Sequence, residues 1–428
     1  MAEAQLAALV SSSLNPTERA AQFAELIDEC IGGEDVGSLQ LILEKLVSDE
    51  VPQVVSRSAV SHYANAVRML RSGEALEAAC QHALRTLAPQ VSSFEESDAR
   101  LRHALFDALL GQGSFKEAAC VLAGINMETS QRVYSDVEKA STYVKIAETF
   151  LEDDESVDAE TFVTRASGLM HAVPGDDWAL QLRYRVTLAR TLDARRKFLD
   201  AAMRYYELSQ ARHREVATDE LVALLSKAVT CAVLGNAGPQ RSRILAMLYK
   251  DERVGSHMEP SPEYAPHATL LKKMCTGQLV TKHDIAAFEA TLLPHQKALQ
   301  ADGLTIPDRA TIQHNLVAVS RIYDNISLSQ LGLLLEIEPH KAERVASRMI
   351  AEGRLPGATI DQVDSDILFS PPQTPLHAFD LNIAHVCADV NAVYDKVDKL
   401  LEAYQDTTTN TTNGGAPPQD PVPMVPAP

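Results

Sequence analysis

Apolar residues recur at i, i+3 and i+4 along most of this chain, the spacing of one face of an α-helix. Between Pro16 and Gln90, Phe23, Leu26, Ile27 and Cys30 share one such face, and Leu39, Ile42, Leu43 and Leu46 share another. Breaks fall at Gly32-Gly33, Pro52 and Ser72-Gly73. Helices joined by short polar breaks pack as antiparallel neighbours.

The middle of the chain is repetitive. Gly113-Ser114-Phe115-Lys116-Glu117-Ala118-Ala119 opens one helix, and Arg196-Lys197-Phe198-Leu199-Asp200-Ala201-Ala202 opens another. Glu155-Ser156-Val157-Asp158-Ala159 stands midway between them. Each follows a longer periodic stretch, about Phe94 to Leu110, Val137 to Leu151 and Trp178 to Asp193. The unit is a helix pair recurring roughly every 41 residues, within the range of helical solenoids. A large apolar residue beside adjacent alanines lets two helices approach closely, and the face left over needs the next pair to cover it. The pattern predicts a mostly α protein whose residues 1–250 form a right-handed helical-repeat arm, TPR- or HEAT-like. Linking helices follow over 251–307. Within them Val254 to Pro266, with three prolines and a glycine, is expected as an exposed loop.

From Asp308 the pattern changes. A helix is expected from Asp308 to Tyr323. Ser327 then caps a short helix carrying Leu328, Leu331, Leu334 and Leu335. Pro339 opens a third, with Ala342, Val345, Ala346, Met349 and Ile350 on its apolar face, and Gly353 ends it. Two short extended runs follow, Ala358 to Val363 and Asp366 to Phe369, joined at Asp364-Ser365. Three helices and a hairpin predict a winged helix over 308–370. Ile367, Leu368 and Phe369 are the candidate open edge for pairing with a second such module.

After the Pro371-Pro372 break, a last helix is expected from about Leu376 to Tyr404, within a segment 371–405. Ile383, Val390 and Val397 hold one heptad site, and Val386, Val393 and Leu400 the other, the narrow seam of a coiled coil or helical bundle. The seam either folds back on its own winged helix or enters a bundle with partner helices. The Pro-Pro break and the single stripe favour the bundle. Six buried aliphatic side chains are worth roughly 1.5–3 kcal/mol each at best, less association costs of several kcal/mol. The tail, 406–428, is expected to be disordered.

Composition narrows the function. Hydrophobic residues make up 46% of the chain, charged residues 23% and aromatics 5%, as in a globular, helix-rich protein. A net charge of −19 repels nucleic acid and anionic membranes unless a local basic patch intervenes. Arg183, Arg185, Arg190, Arg195, Arg196, Lys197 and Arg204 form one such run, read either as a solvated face with intrachain pairs or as a docking patch for an acidic partner. The six cysteines are scattered without a C-x-x-C pair, as expected for reduced, buried thiols. The first residues lack a signal-peptide pattern, and no apolar run reaches membrane-span length. The expected location is cytoplasmic and nuclear.

Candidate chemistry is sparse, and no cofactor, metal or catalytic residue is predicted. The thirteen histidines include no H-x-H and no H-E-x-x-H, and an approach of His295 to His314 reads as structural. No phosphate-binding glycine loop or G-x-S-x-G elbow exists. Glu152-Asp153-Asp154-Glu155 lacks the spaced ligands of a calcium loop and reads as a solvated turn. On the winged helix Lys341, Arg344 and Arg348 suit a few phosphates, but Glu343 and the wing residues Asp361, Asp364 and Asp366 oppose them.

Helical repeats ending in a winged helix resemble the PCI family, shared by subunits of the proteasome lid, the signalosome and a translation initiation factor. Tyr323-Asp324-Asn325-Ile326, Leu331, Leu335, Ala342-Glu343, Met349-Ile350, Gly353 and Ile360-Asp361-Gln362 follow its pattern. Further blocks resemble one branch, the fourth-subunit family of the constitutive photomorphogenesis signalosome. They are Gln240-Arg241-Ser242-Arg243-Ile244-Leu245, Lys250-Asp251-Glu252-Arg253, Leu293-Pro294-His295-Gln296-Lys297, Asp308-Arg309-Ala310 and His314-Asn315-Leu316. The resemblance runs from about Val91 to Asp364 and is loose over the first 90 residues. It implies a non-catalytic scaffold within a complex that removes a ubiquitin-like modifier from cullins. The implied partners are other PCI and MPN subunits, one MPN subunit carrying the metalloprotease, with cullin–RING ligases as substrate. The rivals are the equivalent proteasome-lid subunit, a winged-helix nucleic-acid binder, and a hydrolase lacking known motifs. The Pro-rich Val254–Pro266 stretch departs from the family pattern.

Overall fold

A computed structural model describes residues 15–48, 50–128, 134–175, 177–211, 217–300, 303–369 and 375–411. The expectations placed on the first residues, on Pro371-Pro372 and on the tail beyond Thr411 lie outside the described residues. The chain divides into two units, the first ending at Val319 and the second beginning at Ser320.

In the first unit the amphipathic stretches form α1 (Pro16–Gly32), α2 (Val36–Val47), α3 (Gln53–Ala66), α4 (Gly73–Leu87) and α5 (Glu95–Gln112). They continue as α6 (Phe115–Ala123), α7 (Asp136–Glu152), α8 (Ser156–Leu169), α9 (Trp178–Ala194) and α10 (Phe198–Ser209). Then come α11 (Thr218–Leu234), α12 (Pro239–Tyr249), α13 (Ala265–Thr276), α14 (Lys282–Glu289) and α15 (Ile306–Val319). Most pack on their successor and several on the helix after it, α1 on α3, α3 on α5, α7 on α9 and α10 on α12. This is the neighbour-to-neighbour order of helical repeats.

The expected repeat starts, Phe115, Ser156 and Phe198, are the first residues of α6, α8 and α10. Each preceding long helix is followed within two residues by a left-handed one: Gly113 (φ 82°), Asp154 (φ 58°) and Arg196 (φ 60°). The next amide then donates back to the helix, Ser114 N–H to the Leu109 carbonyl (3.0 Å), Glu155 to Phe150 (3.0 Å) and Lys197 to Leu192 (2.9 Å). These bonds satisfy the orphan carbonyls of the helix end and turn the chain sharply. Ala118, Ala119, Ala201 and Ala202 are fully buried, so the small residues do bring helices together. One core runs from Phe23 to Leu180 and a second from Ala189 to Ile306.

The Pro-rich stretch is more ordered at its start than an open loop. Val254–Met258 form a π-helical turn with Val254 and Met258 buried. Pro266 then lies in the first turn of α13, where a missing N–H costs nothing. Gly255, Ser256, His257, Glu259, Pro260, Pro262 and Glu263 are exposed as expected, while Val254 and Met258 pin the segment to the core.

The second unit contains β1 (Asn325–Ser327), α16 (Leu328–Leu335), α17 (Pro339–Ala351), β2 (Ala358–Asp361), β3 (Asp366–Phe369) and α18 (Pro375–Thr411). Ser327 caps α16 by accepting the Gln330 N–H at 3.3 Å. Ile326, Leu331, Leu335, Ala342, Ala346, Met349, Ile367 and Phe369 are buried. The helix expected to open this module at Asp308 is α15, which belongs to the first unit. Its polar side chains are committed there, as described below. The last helix extends to Thr411, so the first residues of the expected tail are helical.

Candidate functional site

α18 leaves its heptad stripe uncovered. Ile383 is 46% exposed, Val386 61%, Val390 62%, Val393 59%, Val397 49% and Leu400 70%. The stripe also reaches further than the sequence reading placed it: Leu376 and Phe379 continue the same spacing toward the N-terminus, and both are exposed. A parallel row, Cys387, Tyr394 and Leu401, is exposed beside it. With this row the apolar face is wider than a two-stranded seam. The signal for it was the seven-residue spacing of those three residues.

The winged module has a three-stranded antiparallel sheet in the order β1-β3-β2. Ile367 faces Ile326 on one side and Ile360 on the other; Leu368 faces Asn325 and Thr359. Ile367, Leu368 and Phe369 therefore lie in the central strand, not on an open edge, because the short β1 takes the ladder positions left free by the hairpin. The edges are β1 and β2. Three residues between two helices carry too little alternation to be read as a strand. Beside β2 the sheet and α17 form a cleft of about 470 Å3, lined by Glu343, Ser347, Thr359, Gln362 and Leu368. On and beside α17 Lys341 pairs with Glu338 (3.2 Å), and Gln362 donates to Glu343 (3.2 Å). Asp361 folds the wing by accepting the Val363 N–H at 2.9 Å.

The basic run is largely tied down. Arg183 pairs with Glu148, Arg190 with Glu152 (2.9 Å), and both Arg195 and Lys197 with Glu160 (2.8 Å each). Lys116 likewise pairs with Glu155. These pairs join one repeat to the next, and the Lys197 hydrogen bond, with both cations beside it, outweighs desolvation and lowers the Glu160 carboxyl pKa. Arg185 and Arg196 remain exposed and make no ion pair among the described residues.

The blocks that carry the family resemblance hold buried polar links. The fully buried Arg241 guanidinium donates to the carbonyls of Ala232 (3.1 Å), Val233 (2.7 Å) and Ala310 (3.4 Å), closing the end of α11 onto α15. Burial pushes its pKa down to about 10, so it stays charged. Asn315 clamps Val280, accepting its N–H (2.9 Å) and donating to its carbonyl (2.8 Å). Gln313 accepts the Ala237 N–H, and His314 lies 2.9 Å from the Gln278 carbonyl. Arg253 pairs with Asp251 (2.6 Å) and reaches Ser209. Gln296 donates to both oxygens of Asp193, and His295 lies 3.4 Å from that carboxylate. His295 and His314 thus lie beside different groups. Asp193 also neighbours Cys231, but burial pushes that thiol well up. A nucleophile needs the thiolate, so this cluster is packing. Among the described residues no three His, Cys, Asp or Glu side chains converge to hold a metal. No described helix is long and apolar enough to cross a membrane.

A helical-repeat arm, a winged module and a long uncovered helix define a PCI-type assembly subunit. Residues 288–371 match the family described as PCI domain, and residues 4–216 match PSMD12/CSN4, N-terminal. The chain is 37% identical to COP9 signalosome complex subunit 4 of Arabidopsis thaliana over 383 residues, 88% of this chain and 94% of that protein. The subunit of the same name from Drosophila melanogaster is 37% identical over 406 residues, 94% of this chain and 96% of that one. That of Dictyostelium discoideum is 36% identical, over 89% and 93%. The chain belongs to the COP9 signalosome subunit 4 family.

Proposed function

We propose that this chain is a non-catalytic scaffold and substrate-sensing subunit of a COP9 signalosome that deneddylates cullins and so regulates cullin–RING ligases. The uncovered stripe on α18 carries this reading, together with the relatives' name. α18 enters a bundle of partner helices, and the edges of the winged sheet meet neighbouring PCI modules. The metalloprotease belongs to an MPN-type partner. The arm helps receive the cullin–RING substrate, and the complex works in cytoplasm and nucleus. The proteasome-lid reading is disfavoured by the relatives' signalosome names, and the nucleic-acid reading by Glu338 and Glu343 around α17, Glu338 pairing Lys341, and by the carboxylates of the wing.

The test is recovery of the tagged full-length chain from its native cells, with mass spectrometry and a cullin deneddylation assay. Co-recovery of an MPN subunit with cullins, and activity in the complex that the isolated chain lacks, is expected. Recovery of proteasome-lid subunits, or of nucleic acid with neither complex, would overturn it.

A further inference from the structure

The start of α10, the end of α11 and the starts of α12 and α15 enclose a cleft of about 310 Å3. Among the described residues Arg196, Lys197 and Arg309 line it with one carboxylate, Asp200, while Asn236, Gln240 and Gln300 offer amide groups. In a chain of net charge −19 this is the reverse of the average surface. Lys197 shares its charge with Glu160, and Arg309 donates to Gln300. Arg196 is exposed at the mouth, on a backbone turned to φ 60°.

We propose that this cleft binds a phosphomonoester group. Two guanidinium forks and an ammonium suit a tetrahedral dianion with three acceptor oxygens better than a flat, singly charged carboxylate. The first turns of α10 and α15 lie on the wall and add the positive ends of their dipoles. The same chemistry comes from a phosphorylated serine or threonine of a partner or from a small free phosphate. Neither assignment depends on the scaffold reading above.

The test is calorimetric titration of the full chain at fixed ionic strength with O-phosphoserine, inorganic phosphate and acetate. Saturable one-site binding of the phosphate compounds is expected, with acetate roughly tenfold weaker or worse. Arg196→Gly removes a cation while relieving the left-handed backbone. Its thermal midpoint should hold or rise while phosphate affinity falls roughly fivefold or more. Arg309→Gln should weaken binding too, and reversing the distant exposed Arg85 should not. Phosphoserine binding well above inorganic phosphate assigns the site to a modified partner; equal binding assigns it to free phosphate. Absence of saturation, equal binding of acetate, or full affinity in both cleft variants would overturn the proposal.

Discussion

Single residues set the turns and pins of the arm, and several make measurable predictions. Gly113, Asp154 and Arg196 occupy equivalent left-handed positions, yet only the first is free of the Cβ clash that disfavours this region. Arg196→Gly should therefore stabilise the chain by about 0.5–1 kcal/mol, and Asp154→Gly by less, because Asp tolerates the conformation. Thermal unfolding of the two variants checks the order. Arg241→Met should cost about 3 kcal/mol in urea unfolding, since the Ala232, Val233 and Ala310 carbonyls would lose a buried donor. His267 packs edge-on to Phe288 with ring centroids 5.2 Å apart, and burial pushes its pKa down to about 4. The unfolded chain takes up this proton first as pH falls. Stability from the neutral ring is thus complete above about pH 6.5 and declines toward pH 4, by about 3 kcal/mol in all. His267→Phe should flatten that part of the stability–pH curve; an unchanged slope would show that His267 is not responsible.

At the scale of elements, what was legible had a period. The helix pairs of the arm, the Ser327 cap and the α18 stripe each follow from spacing within one segment. The sheet order did not, because β1 exists only through its partner: the Phe369 N–H donates to the Asp324 carbonyl at 2.7 Å, and Leu328 to Ser365 at 2.8 Å. The π turn at Val254–Met258 was hidden for a similar reason, its stability coming from two residues that reach a distant core. The Gln240–Leu316 blocks were visible as a resemblance, but their physical meaning lies in pairings such as Asp193 with Gln296, 103 positions apart. α18 is the opposite case, a helix whose pattern is clear and whose apolar stripe is exposed, so that the counterpart we propose for it lies on other chains. Val390→Asp with Val393→Asp should leave circular dichroism and the unfolding midpoint of the isolated chain unchanged, because both residues are exposed. The same variant should fail to enter the complex; full assembly would remove α18 from the interface.

For the whole molecule, charge and the uncovered stripe oppose each other. The chain carries −19, and α18 itself has six carboxylates against two lysines, so copies of this helix repel one another. β-branched residues fill most of both heptad sites, which favours bundles of more than two helices over a dimer. A wide apolar face that its own copies cannot easily cover suits unlike partner helices of less acidic sequence. An exposed stripe of this length is still a liability in a free monomer. The isolated chain should therefore be monomeric at low salt and self-associate at high salt, where screening removes the repulsion and leaves apolar burial intact. Sedimentation velocity across a salt series measures this, with the Val390→Asp, Val393→Asp variant remaining monomeric throughout. Association that weakens as salt rises would mean that charge pairing, not the stripe, joins the copies, and the apolar argument for α18 would fail.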